Sequence, residues 1–159
     1  MKTLKPLSRK EYYTLLRENP NASCSFCDYD NKQIIIAKSQ YWVWIVCLAP
    51  YWKWHTMFII KRHVDKIEEV SLEEFTDLTK FKQLAEKRYK ENVKKLEDGD
   101  PIDMFFYFWR ERENGIDKHF KVKKSIHLHL HMVPERDGTL DKITDPEAKD
   151  FNFKLLMKE

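Results

Sequence analysis

Ser125-Ile126-His127-Leu128-His129-Leu130-His131-Met132-Val133-Pro134 alternates imidazole and apolar side chains from His127 to Met132. A strand has a side-chain period of two, so one face carries His127, His129 and His131 and the other Leu128, Leu130 and Met132. The apolar face belongs to a core. Histidines are poor strand formers with nothing to gain from packing, and imidazole is the side chain suited to act as nucleophile or acid near neutral pH. A solvated strand face that is merely rich in histidine is the plain alternative.

Upstream, Met104–Arg112 reads as a second strand, separated from the first by a polar loop around Asn114-Gly115. Further upstream, Ile34–Ser39, Tyr41–Ala49 and Thr56–Lys61 are rich in β-branched and aromatic residues and read as three consecutive strands. Between the two groups, Ser71 and Glu74 form a capping box, and Phe75, Leu78, Phe81, Ala85, Tyr89, Val93 and Leu96 mark one face of a long helix that ends by Gly99-Asp100-Pro101. Ser8 and Glu11 repeat the capping box ahead of a short N-terminal helix, stopped by Asn19-Pro20. The tail from Gly138 turns apolar at Phe151, Phe153, Leu155 and Leu156, as expected of a segment folded back over the body. Five strands with one long helix on a sheet face make an α+β protein. A single domain over 1–159 is expected, with a core at 24–135, a helical N-terminal region at 1–23 and a tail at 136–159.

With 35% charged and 14% aromatic residues, the chain is neither disordered nor a membrane protein. The longest apolar stretch, Tyr41 to Trp52, is too short to span a bilayer, and a soluble, cytoplasmic protein with no membrane partner is expected. The net charge of +3, from 29 basic and 26 acidic residues, is too balanced for a dedicated duplex-binding surface, so nucleic acid is not the favoured partner. Three glycines exclude a Walker loop or a dinucleotide fingerprint. Cys24 and Cys27, in a C-x-x-C spacing, suit metal or redox chemistry better than a secreted disulfide framework, and Cys47 reads as a core filler.

The run His127-x-His129-x-His131 followed by Met132 and Val133 resembles the motif that names the histidine-triad superfamily. Upstream, His55-Thr56-Met57-Phe58-Ile59-Ile60-Lys61-Arg62-His63 resembles the family's strand with a histidine at each end, with Ile60 where proline is usual. Together with Cys24-Ser25-Phe26-Cys27 the similarity runs from Cys24 to Glu135, and Gln40–Val64 is similar to the matching segment of galactose-1-phosphate uridylyltransferases. The resemblance implies an antiparallel five-stranded sheet and a two-step mechanism. In that mechanism His129 attacks the α-phosphorus of a nucleotide conjugate, a nucleotidyl-histidine forms, and His131 stabilises the growing charge. His55 is implied as a neighbouring or phosphate-contacting group. Transferases of the family often carry glutamine at the position of His131, so histidine resembles the hydrolase branch. A phosphoramidate, a dinucleoside polyphosphate or a nucleotide sugar are all candidate substrates.

A structural zinc needs four N or S ligands, and the cysteine pair supplies two. In zinc-bearing members the other two map to His63 and His127. The chain departs from the family where a glycine–glutamine–serine stretch is usual, reading Lys121-Val122-Lys123-Lys124-Ser125, and it lacks the customary asparagine on the preceding strand. Lys123, Lys124, Ser125 and Arg110 are the substitute candidates for gripping phosphate. Two other functions stay open: nucleotidyl transfer or phosphorolysis, and a nucleotide- or nucleic-acid-binding module without turnover. Many relatives are dimers, and the aromatic segment Tyr41–Trp54 is a candidate to stack a base or to be buried in a homodimer interface.

Overall fold

The computed structural model describes residues 4–19, 23–93, 102, 104–110, 116–117, 122–123, 127–135 and 149–158. The strands are β1 (Ile35–Lys38), β2 (Trp42–Val46), β3 (Thr56–Ile60), β4 (Met104–Arg110), β5 (Ile116–Asp117), β6 (Val122–Lys123) and β7 (His129–Glu135). Five of them form an antiparallel sheet in the order β1-β2-β3-β7-β4, and β5 pairs with β6 in a small hairpin. The helices are α1 (Arg9–Glu18), α2 (Tyr29–Lys32) and α3 (Leu72–Arg88), the last running on into a π turn at Tyr89–Val93. The expected α+β architecture is present, and none of the described helices is long and apolar enough to cross a membrane.

Both capping boxes form. Ser8 Oγ accepts from the Glu11 amide and Ser71 Oγ from the Glu74 amide, and each glutamate returns the bond to the cap's own N–H. Each box satisfies orphan amides of the first turn and is worth about 1 kcal/mol.

The sheet is covered on both faces. Trp42, Trp44, Phe58, Leu128, Leu130 and Met132 meet Leu78, Phe81 and Ala85 of α3, while Val43, Ile45, Met57 and Ile59 form a second cluster with Phe26 from the cysteine segment. Trp42 and Trp44 are wholly buried within the chain and donate their indole N–H groups to Glu74 O (2.8 Å) and Thr56 Oγ1 (2.9 Å). Trp54 is buried against Phe151, 5.2 Å between ring centroids. These three indoles are core, available neither to a base nor to a second copy.

Several boundaries move. Sheet pairing on the histidine strand starts at His129, because the Leu128 amide donates to Val64 O (2.6 Å), beyond the end of β3. Ser125, Ile126 and the helix position Leu96 lie outside the described residues. Cys47 is buried just past β2, and burial pushes its thiol up to about 12. The tail returns as expected, with Leu155 and Leu156 of the 3-10 turn Phe153–Met157 in the main core and Asn92 Nδ2 donating to Leu155 O at 3.1 Å.

One hydroxyl chain crosses the core toward the turn that leads into β3. Trp44 Nε1–H donates to Thr56 Oγ1, the Thr56 hydroxyl lies 2.9 Å from Tyr89 Oη, and Tyr89 donates to Trp54 O. Because the carbonyl can only accept, the direction of every bond in the chain is set. It holds Trp54 in the left-handed region (φ 65°), which is unusual for a bulky residue. Tyr89→Phe should therefore cost about 1–3 kcal/mol. Urea unfolding checks this: a lowered midpoint with an unchanged slope is expected, and wild-type stability would mean the hydroxyl does not hold the turn.

Candidate active site and metal centre

The cysteine segment precedes α2, His63 follows β3, and His127 leads into β7. Sheet order puts β3 beside β7, so these three segments converge at one end of the sheet. Cys24, Cys27, His63 and His127 place their donor atoms within 4.8 Å of one another, the one such metal-binding group found among the described residues. His127 Nδ1 lies 3.6 Å from Cys24 Sγ and 3.5 Å from Cys27 Sγ, and His63 Nδ1 lies 3.1 Å from Cys27 Sγ. Ligand bonds of ~2.0–2.3 Å in a tetrahedron require S···N edges of about 3.5 Å, so the donors fit a four-coordinate ion.

The surroundings fit it as well. His127 Nε2–H donates to Ile60 O (2.7 Å), which turns its Nδ1 toward the sulfurs, and the Asp65 carboxylate lies 2.9 Å from His63 Nε2 on the side of that ring away from Cys27. Without a cation the Cys27 thiol is pushed up to about 11, by burial first and then by Cys24 and the Asp65 carboxylate. A divalent ion reverses that penalty.

The remaining histidines obey the same logic. His129 is half-buried, and its Nδ1–H donates to the carbonyl of His127 (2.8 Å), which puts the neutral ring's lone pair on Nε2. His55 is wholly buried, and its Nδ1 accepts from the Tyr51 amide (3.1 Å). Its proton is then on Nε2, 2.8 Å from His131 Nδ1, which must accept. The proton of His131 is left on Nε2, an atom that is buried without a hydrogen-bond partner among the described residues. Phe108 stacks on the His131 ring, centroids 4.3 Å apart and 6° from parallel, and Phe26 packs 5.0 Å from His129.

The sequence profile of the HIT domain matches residues 29–138. The chain belongs to the HIT domain family. Its fold is similar to that of a zinc-bound histidine triad family protein from Mycobacterium smegmatis, with 23% identity and a TM-score of 0.60 over 85% of this chain and 91% of that one. It is also similar to an ADP-glucose phosphorylase from Arabidopsis thaliana with bound ADP-glucose, at 14% identity and a TM-score of 0.59 over 94% of this chain and 45% of that one. A GalT-like protein from the same plant gives 15% identity and a TM-score of 0.56 over 94% and 47%. The chain thus spans less than half the length of the two plant proteins. No curated protein matches it in sequence.

Within this HIT domain Arg110 stands opposite His129 in the β4–β7 register, and Phe108 opposite His131. Arg110 Cζ lies 4.9 Å from the centroid of Tyr51, whose ring stacks 5.5 Å from that of His55. Lys123 lies in β6, and Lys124 and Ser125 fall outside the described residues. The His face is not the solvated surface of the plain alternative, since His127 and His131 are buried beneath Phe26 and Phe108. Tyr51, Phe108 and Asp65 escaped the sequence reading. Only Asp65, two residues after His63, had a local signal.

Burial, then Arg110, His129 and Arg9, hold His55 down at about 3; burial, then His55, His129 and Arg110, hold His131 well below its usual value. Both stay neutral in the fold over a range where the unfolded chain, with histidines near ~6.5, takes up protons. The unfolded state binds more protons below that value, so stability falls as pH falls from about 6.5 toward 4. His131→Asn should make the decline shallower by up to about 1.4 kcal/mol per pH unit. Urea midpoints at intervals from pH 7 to 4 measure it, and parallel profiles would mean that His131 protonates freely in the fold.

Proposed function

We propose that this protein is a nucleotide-processing hydrolase that cleaves nucleotide conjugates at the α-phosphate through a nucleotidyl-histidine on His129, in the reducing cytoplasm where paired thiols stay free. The observation that carries this reading is the bond from His129 Nδ1–H to His127 O, because it directs the lone pair to Nε2, the nitrogen a covalent route needs. The Nε2 lone pair bonds to phosphorus as the bond to the bridging atom breaks, and the departing atom keeps that electron pair. His131 Nε2–H donates a hydrogen bond to the developing charge, and His55 holds His131 in that tautomer. Water then adds to phosphorus, Nε2 recovers its pair, a water proton passes to solvent and the nucleoside monophosphate is released. Arg110, beside His129 in the register, is assigned to the phosphates, as are Lys123, Lys124 and Ser125. Histidine at position 131 favours water as acceptor. Phosphorolysis or transfer is the second reading, favoured by the likeness in fold to the plant ADP-glucose phosphorylase.

His129→Ala should reduce turnover by about 10⁴-fold or more, and His131→Ala by ~10²-fold, because only the first removes the group that becomes bonded to phosphorus. Mixing with nucleotide conjugates and quenching in base should trap a phosphoramidate adduct on wild-type protein alone. Turnover without that adduct, with most of the rate kept in His129→Ala, rules out the covalent route. Turnover that needs added phosphate or a sugar phosphate makes the protein a transferase or phosphorylase.

We assign a structural zinc to Cys24, Cys27, His63 and His127. It ties the N-terminal segment to β3 and β7 and fixes His127, whose carbonyl orients the nucleophile. Elemental analysis should find about one zinc per chain, and Cys24→Ser should lose it and melt on the order of 10 °C lower. Zinc-free protein as stable as the wild type would remove the metal from this account.

A further inference from the structure

Tyr51 touches the histidine cluster twice. Its amide sets His55, and its ring carries two guanidiniums: Cζ of Arg9, the first residue of α1, lies 4.1 Å from the ring centroid, and Cζ of Arg110, the last of β4, lies 4.9 Å from it. The two carbons are therefore no more than about 9 Å apart. Both side chains are half-buried, and no carboxylate lies within ion-pair distance of either among the described residues. Arg9 donates to Tyr13 Oη at 3.0 Å, a neutral partner. Glu11, two residues along, is committed to Ser8 and Lys149.

Two permanent positive charges held this close repel each other, and partial burial removes part of the water that would screen them. Stacking on tyrosine offsets only some of that cost. Their charge also reaches the site: both arginines disfavour protonation of His55. Among the described residues the arrangement lacks an anion, which a ligand would supply. Arg110 faces His129 across the strands, and the buried Nε2 of His131 needs an acceptor in the same region.

We propose that Arg9 and Arg110, braced on the Tyr51 ring, form a subsite for a second phosphate, the one that departs when His129 attacks the α-phosphorus. The substrate class is then a nucleotide whose leaving group is itself a phosphate, either a nucleoside diphosphate sugar or a dinucleoside polyphosphate. It is not a phosphoramidate with an amine leaving group. The chemistry of this assignment rests on the hydrolase reading; the charge and geometry do not. When the bond from the α-phosphorus to the bridging oxygen breaks, that oxygen keeps the electron pair and the departing phosphate gains one negative charge. Guanidinium forks match phosphate oxygens in pairs and hold the product more tightly than the reactant, which favours the transition state. A departing amine instead needs a proton, which a guanidinium does not release. Arg9 also gives the N-terminal helix a part in the site.

Calorimetric titration of the intact protein with inorganic pyrophosphate tests the subsite without requiring turnover. Arg9→Gln and Arg110→Gln should each weaken binding about tenfold, with Arg9→Lys between them and wild type because it keeps the charge and loses the fork. The ratio of kcat/KM for ADP-glucose over adenosine 5′-phosphoramidate, and for the uridine pair, should fall on the order of 10-fold to 100-fold in the same variants. Pyrophosphate affinity and substrate ratio that match wild type in both glutamine variants overturn the subsite, as does wild-type protein that fails to bind pyrophosphate at millimolar concentration. Arginine-dependent pyrophosphate binding with no adduct on His129 refutes the hydrolase reading and leaves the subsite standing. An adduct with both substrates and no arginine dependence does the reverse.

Discussion

Three backbone groups whose polarity cannot change decide what the histidines can do. The carbonyls of Ile60 and His127 only accept, and the amide of Tyr51 only donates. A neutral imidazole has one donor and one acceptor nitrogen, so a fixed partner on one nitrogen assigns the role of the other. His127 is given an Nδ1 lone pair toward the cysteines and His129 an Nε2 lone pair. His55 passes its assignment on to His131, which is left with an Nε2 proton. Chemically identical side chains at alternate positions of one segment thus present different ring atoms to their surroundings.

The sheet order is what brings those backbone groups within reach. Tyr51 precedes β3 and Ile60 ends it, and β3 is the neighbour of β7, so one short segment supplies both ends of the histidine array. His127 couples the two sites. Its ring belongs to the Cys/His cluster and its carbonyl orients His129, so a displacement at the cysteines reaches the proposed nucleophile through a single residue. Phe26, from the same cysteine segment, packs against both His127 and His129 and closes that side of the sheet.

Alternation made the histidine strand legible, because a period of two needs only local sequence. The strands, both capping boxes and the four-residue metal cluster were legible for related reasons, the last through family likeness rather than spacing. What could not be read was anything set by sheet order. Nothing in the sequence puts Phe108 opposite His131 or Arg110 opposite His129, since the residues between those partners carry no mark of register. Tyr51 acts at His55 through its main-chain amide, which leaves no trace in the choice of side chain. Trp42, Trp44, Trp52 and Trp54 were ambiguous because alternation cannot tell a face covered by its own helix from one covered by a partner; α3 supplies the cover for Trp42 and Trp44.

The fold assigns the tautomers, and ring-nitrogen NMR reads tautomers directly. Long-range proton–nitrogen correlation spectra at neutral pH should show His129 protonated at Nδ1, and His55, His127 and His131 protonated at Nε2. Finding His129 protonated at Nε2, or His131 at Nδ1, would contradict the account, because the lone pair and the donor would then have exchanged places.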